Sequence, residues 1–208
     1  MIRLMAMIPT VLACLGAAWV VPATADTPPG DPAHGAKLAY TCFGCHGIPD
    51  YRNAYPNYRV PRLGGQHADY IVAALAEYRG GARAHPTMKG QASSLSGQDA
   101  RDIAAYFATA KPVASSGNAT GTPPASANAC VACHGKDGVG ITGDYPTLAG
   151  QYADYLEQAL KAYRKGTRQN PIMATFVASL KDEDIQALAH YFASQQPALW
   201  VPLAPRGP

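Results

Sequence analysis

Two pentapeptides concentrate the chemistry of this chain: Cys42-Phe43-Gly44-Cys45-His46 and Cys130-Val131-Ala132-Cys133-His134. In each, two intervening residues set the thiols about one helical turn apart, spaced to form thioethers with the two vinyl groups of a porphyrin. The next residue then places an imidazole under the ring. C-x-x-C-H is the attachment signature of c-type haem, so two copies call for two covalently bound haem c groups. The same cysteines admit two other readings. A zinc site using all four would have to bridge the two halves of the chain and would leave the adjacent histidines without a role. A redox-active dithiol needs a βαβ pattern, which is absent.

The ligand opposite each histidine decides what the iron can do. Of the 5 methionines, Met1, Met5 and Met7 lie at the extreme N-terminus, leaving Met88 and Met173. Met88 follows His46 by 42 residues and Met173 follows His134 by 39, each shortly after a proline. A methionine is ordinarily core filler, but two in matched places, one per haem motif, read as axial ligands. The expected iron ligands are therefore His46 with Met88 and His134 with Met173. Thioether sulfur is a soft, neutral donor that favours ferrous iron and raises the reduction potential. It also fills the position that oxygen or peroxide would need. The chain carries no legible acid–base pair, nucleophile or substrate pocket, so it reads as an electron-transfer protein and not an enzyme. A dihaem peroxidase, the less favoured alternative, is opposed by the two equivalent methionines.

The elements that must position these groups come as a repeat. Pro61-Arg-Leu-Gly-Gly-Gln-His-Ala-Asp-Tyr-Ile71 matches Pro146-Thr-Leu-Ala-Gly-Gln-Tyr-Ala-Asp-Tyr-Leu156 at an offset of 85 residues. The same offset joins Tyr78-Arg79 to Tyr163-Arg164, Arg83 to Arg168, Pro86 to Pro171 and Met88 to Met173. The haem motifs alone stand 88 apart, because the first loop is three residues longer. Duplication at this length signals two similar units. Tyr70, Ile71, Ala74, Leu75 and Tyr78 share one helical face, and Tyr155, Leu156, Ala159, Leu160 and Tyr163 share its counterpart. Ser96 with Asp99 resembles a capping box opening a further helix. Asp182, Glu183 and Asp184 favour the start of the matching one. With no alternating strands, the fold class is all-α, two units of a few helices each wrapped around one haem. At about 80 residues, each unit is small for an independent core, and the tethered macrocycle supplies the missing apolar volume.

Other residues are weaker candidates. In the repeat His67 falls opposite Tyr152, His85 opposite Asn170 and His190 opposite Ala105, while His34 precedes the first motif. They read as surface or packing residues, with a bis-histidine site using His85 beside Met88 as the one variant retained. One arginine of each pair, Arg79 or Arg83 and Arg164 or Arg168, is a candidate partner for haem propionates. The tyrosine-rich loop of residues 51–58 reads as packing on the first porphyrin, with a partner-docking surface or a lid as alternatives. Trp200 reads as packing on its own domain.

The N-terminus carries Arg3, an apolar run from Ile8 to Val21, and Ala23-Thr24-Ala25 before Asp26, the layout of a cleaved secretory signal peptide. An uncleaved anchor and lipidation at Cys14 are the alternatives. The expected organisation is a signal peptide over 1–25, a haem domain over 26–111, an uncharged Pro/Gly/Ala/Ser linker over 112–128, a second haem domain over 129–196 and a proline-rich tail over 197–208. The formal charge of +3 becomes +2 without Arg3. About four propionate charges, set against about one positive charge per ferric centre, bring the holoprotein near zero when oxidised. The balance does not argue for a nucleic-acid partner.

The paired C-x-x-C-H-G units, the Pro-x-Leu-x-Gly-Gln segments, the Tyr-Arg-x-Gly-x-Arg stretches and the late methionines resemble the dihaem cytochrome c4 family from about Gly35 to Gln195. The resemblance implies two class I cytochrome c domains related by a pseudo-twofold axis, with haem edges facing each other. It also implies periplasmic electron carriage between respiratory partners towards a terminal oxidase, with at most peripheral membrane association. A cytochrome subunit relaying electrons from a periplasmic dehydrogenase is the alternative. In similar domains a proline carbonyl accepts the proximal histidine's Nδ1 proton, a second-shell place that Pro61 and Pro146 match.

Overall fold

The computed structural model describes residues 29–109 and 115–203. The expected signal peptide, the start of the linker and the end of the tail lie outside the described residues. Helix is the regular structure throughout them, with three isolated β-bridges and no strand. The all-α expectation holds.

In the first half, α1 (Pro32–Leu38) opens on Asp31, whose carboxylate accepts the Ala33 N–H at 2.8 Å, with proline in the first turn. A 3-10 turn (Ala39–Thr41) leads into the single-turn α2 (Phe43–His46), which holds the first haem motif. There follow α3 (Ala68–Gly80), α4 (Pro86–Ser93) and α5 (Gly97–Ala108). Ser96 and Asp99 form the capping box read from sequence, with bonds of 3.1 and 2.9 Å. The second half repeats the plan with α6 (Val131–His134), α7 (Ala153–Arg164), α8 (Pro171–Val177) and α9 (Asp182–Ala193). A 3-10 turn (Ala125–Ala129) leads into α6 as the earlier one leads into α2, with Ala127 fully buried like Ala39, and no α-helix matches α1 among the described residues.

Each core is modest. Phe43, Ile71, Ile103, Ala104 and Phe107 gather where α3 packs on α5. Leu156, Leu188, Ala189 and Phe192 do the same between α7 and α9. Beside these clusters each half keeps a large apolar cavity. One buried polar group sits apart from it: Asp102, 3% exposed, binds His34 Nδ1 at 2.7 Å and the Asp31 N–H at 2.8 Å, fastening α1 to α5.

The halves join reciprocally. Arg83 and Arg168, one repeat apart, form an antiparallel bridge, with Ala84 N–H on Thr167 O at 2.9 Å and Gln169 N–H on Ala82 O at 2.6 Å. A pairing in which equivalent residues meet is what a twofold relation between the halves generates. The longer first loop is pinned to the other half, with Arg59 Nε on Asp154 at 3.1 Å, Arg52 on Asp154 at 3.2 Å and Tyr58 beside Tyr155. Tyr51 and Tyr55 stay exposed while Tyr58 is buried. One tyrosine of the loop thus lines the cavity, and the rest of the loop straps the two halves.

The tail departs from expectation as well. Trp200 packs on the opposite half, exchanging two 3.1 Å backbone bonds with Gly64, while Ala198 N–H reaches Ala149 O at 3.3 Å. Gly64 and Ala149 are equivalent in the repeat, so the tail runs between matching points of both halves. The preceding segment is tethered too: Thr120 N–H and Gln195 Oε1 pair at 2.8 Å, and Gln195 Nε2 returns to Thr120 O at 3.0 Å.

Candidate haem sites and their shared wall

The first site is assembled from α2, the loop after it, α3 and α4. Cys42, Cys45, His46, Pro61 and Met88 all line one open-mouthed cavity. His46 is 9% exposed and donates Nδ1–H to Pro61 O at 2.8 Å, which leaves Nε2 as the nitrogen free for a metal. Burial holds this imidazole below its ordinary pKa, opposed by the Pro61 carbonyl, so it stays in the neutral, ligating form. The second site is its copy. Cys130, Cys133, His134, Pro146 and Met173 line a second such cavity, and His134 Nδ1 meets Pro146 O at 2.9 Å. Because the two C-x-x-C pairs line separate cavities, the four cysteines do not gather into one zinc site.

Both methionines sit in the first turn of a helix that begins at proline. The residue before each proline caps that turn: His85 Nδ1 accepts the Met88 N–H at 3.3 Å, and Asn170 Oδ1 accepts the Met173 N–H at 3.0 Å. His85 thus does the work of an N-cap asparagine. His67 packs between the halves, near Gly140 O and Thr147, and His34 holds Asp102.

The repeated arginines separate by role. Arg79 and Arg164 reach the carbonyls of Leu95 and Leu180, at 3.1 and 2.7 Å, tying down the loop after each methionine helix. Arg83 and Arg168 are each 6% exposed, line the first and second cavities, and have no carboxylate partner among the described residues. Their partners are phenols: Arg83 Nη2 on Tyr155 at 2.7 Å and Arg168 Nη2 on Tyr70 at 2.8 Å. Arg168 Nε is buried with no partner. Burial alone would raise the Tyr70 phenol, yet Arg168 and then Arg83 pull it down to about 8. This is a desolvated, electropositive spot that favours an anion.

These observations fit a haem in each cavity. In each, the walls are largely apolar, a C-x-x-C pair lies at the edge, a neutral imidazole is held with Nε2 free and a buried guanidinium has no carboxylate partner among the described residues; in the second, Arg168 Nε also lacks any partner and suits an acid such as a propionate. Tyr70, Pro146, Leu148, Tyr155 and Leu156 line both cavities, so a wall one side chain thick separates them. Sequence periodicity marks Tyr70 and Tyr155 only as members of helical faces. Their equivalence in the repeat was visible, but that equivalent residues would meet across an interface was not.

Two such cavities in a duplicated helical fold define a dihaem electron-transfer cytochrome. The cytochrome c family model matches residues 32–111 and 121–196, and the chain belongs to this family, within its dihaem cytochrome c4 members. It is 36% identical over 178 residues to cytochrome c4 of Pseudomonas aeruginosa, covering 78% of this chain and 87% of the relative. It is 34% identical over 173 residues to a thiosulfate dehydrogenase electron acceptor of Stutzerimonas stutzeri, covering 75% of this chain and 79% of that one. Among solved structures, thiosulfate dehydrogenase from Marichromatium purpuratum superposes with a TM-score of 0.64 at 29% identity over 79% of this chain, which spans 40% of that longer chain. The protein carries two covalently bound haem c groups, transfers electrons and is not an enzyme in its own right. Its partners are redox proteins.

Proposed function

We propose that the protein carries single electrons in the periplasm between respiratory partners, towards a terminal oxidase, after loss of residues 1–25. Cys42, Cys45, Cys130 and Cys133 form the thioethers. His46 with Met88 and His134 with Met173 are the axial ligands, while Pro61 and Pro146 orient the two imidazoles. Arg83 and Arg168, not Arg79 and Arg164, meet the propionates. Two haem domains over 26–111 and 129–196, joined by the 112–128 segment and followed by the 197–208 tail, carry these groups. No helix among the described residues is long and apolar enough to cross a membrane, in keeping with peripheral association at most.

When bound, each haem supplies a one-electron redox centre. The residues named above would close each iron to small-molecule ligands, and the largely apolar walls would limit rearrangement when its charge changes. The observation that carries the reading is the shared wall. Five residues line both cavities at once, so centres held in them would be close neighbours and an electron entering one half could leave by the other.

The relay alternative draws on the similarity to an electron acceptor of thiosulfate dehydrogenase. One experiment separates the two: the reduced holoprotein is mixed with aerobic membranes bearing a terminal oxidase, with and without an oxidase inhibitor. Inhibitor-sensitive oxidation of both haems is expected. No oxidation, together with rapid reduction of the oxidised protein by a thiosulfate dehydrogenase, would replace the carrier reading with the relay.

A further inference from the structure

Gln66 and Gln151 stand one repeat apart, each is 4% exposed, and each reaches into the opposite half. Gln151 Oε1 accepts the Arg62 N–H at 3.0 Å, and its Nε2 donates to Arg62 O at 3.0 Å. Gln66 grips Thr147 in the same way, with both bonds at 3.0 Å. Each amide oxygen also accepts the N–H of its own next residue, His67 or Tyr152, at 3.0 and 3.1 Å, which fixes the amide's orientation.

The gripped residue is the one after the proline that holds the histidine. The Arg62 N–H and the Pro61 carbonyl are two ends of a single peptide unit, and that carbonyl accepts His46 Nδ1–H. Likewise the Thr147 N–H and the Pro146 carbonyl share one peptide, which accepts His134 Nδ1–H. Each imidazole is therefore joined, through one conjugated planar amide, to a side chain of the other half. An acceptor placed on a peptide N–H draws density towards its oxygen and makes that oxygen a better acceptor, because chains of hydrogen bonds polarise one another. A better acceptor at Nδ1–H makes the imidazole a stronger donor at Nε2. Stronger donation favours ferric iron and lowers the potential.

We propose that the tuning is crosswise: Gln151 of the second half sets the first centre, and Gln66 of the first half sets the second. Both are positioning residues acting through a proline carbonyl. General interface adhesion needs no particular backbone target, whereas here both glutamines select the peptide that orients a histidine. This inference rests on the ligation proposed above for His46 and His134.

The test uses the full-length holoprotein with Gln151→Met and Gln66→Met, which keep length and remove the amide. Nuclear magnetic resonance follows the axial methionine methyls and histidine Nδ1 protons through a redox titration. Gln151→Met should shift the first centre's potential upwards, move the His46 Nδ1 proton upfield and leave the second centre less changed, and Gln66→Met should give the mirror result. Should either variant fold poorly, Gln→Asn at the same position keeps an amide one methylene short and should give the same sign. Shifts confined to each variant's own half, equal shifts in both centres, or none would overturn the crosswise proposal. Absence of the methionine methyl or histidine signals in the wild type would instead overturn the ligation reading.

Discussion

Replacing Arg168 by Met removes a full positive charge from the wall of the second cavity while keeping an unbranched side chain. The guanidinium is 6% exposed, so solvent screens it little. With an effective dielectric of about 20 and a separation on the order of 10 Å from the centre of the cavity, the lost attraction for an added electron is about 1.7 kcal/mol. For a one-electron couple, at 59 mV per tenfold change, that corresponds to a fall of about 70 mV in the second centre's potential. Arg164→Met is the control: its guanidinium bonds Leu180 O and Asp182 and is about a quarter exposed, so its effect should be under about a third of that. A haem-resolved spectroelectrochemical titration of both variants decides the matter. An unchanged second potential in Arg168→Met, or an equal fall in Arg164→Met, would refute the assignment of Arg168 to the anion site.

Two further perturbations probe the scaffold. His34, then the Asp31 N–H, hold Asp102 at about 2, below the ordinary 3.8 of a free carboxyl, so its stabilising contribution is present above about pH 4 and is lost as pH falls through 2. The stability gap between wild type and Asp102→Asn in urea melts should therefore narrow from pH 5 to pH 2, and a gap that widens would contradict the linkage. Gly65 has φ +83°, and a Cβ there would stand 2.4 Å from the Trp200 ring and 2.5 Å from Ala198 O. Gly65→Ala should cost about 1–3 kcal/mol. Trp200→Ala should relieve part of that cost in the double variant, and strict additivity in denaturant melts would show that the tail does not press on this glycine.

Much of the site was legible because covalent chemistry constrains spacing. Two C-x-x-C-H motifs, two surviving methionines and a constant 85-residue offset left little freedom in which side chains share a cavity. The helices were legible for local reasons: Ser96 and Asp99 cap one another over three residues, and acids open α9. What escaped was everything decided by how one half meets the other. The sequence offered Arg79 and Arg83 as equals, and burial distinguished them. Trp200 carried no local mark of pairing with Gly64, and neither Gln66 nor Gln151 revealed that its target lies 81 or 89 residues away. Contacts across a duplicated interface have no periodicity of their own, so the repeat announces which residues are equivalent without saying which of them touch.

The central claim is that both irons are closed by His/Met pairs. An optical titration of the fully reduced holoprotein with carbon monoxide tests it most directly, with Met88→Ala and Met173→Ala as references for one opened site each. The account predicts that the wild-type spectrum stays unchanged at both haems and that each variant binds carbon monoxide at one haem. Ready binding at either haem of the wild type would contradict it, and with it the assignment of Met88 or Met173.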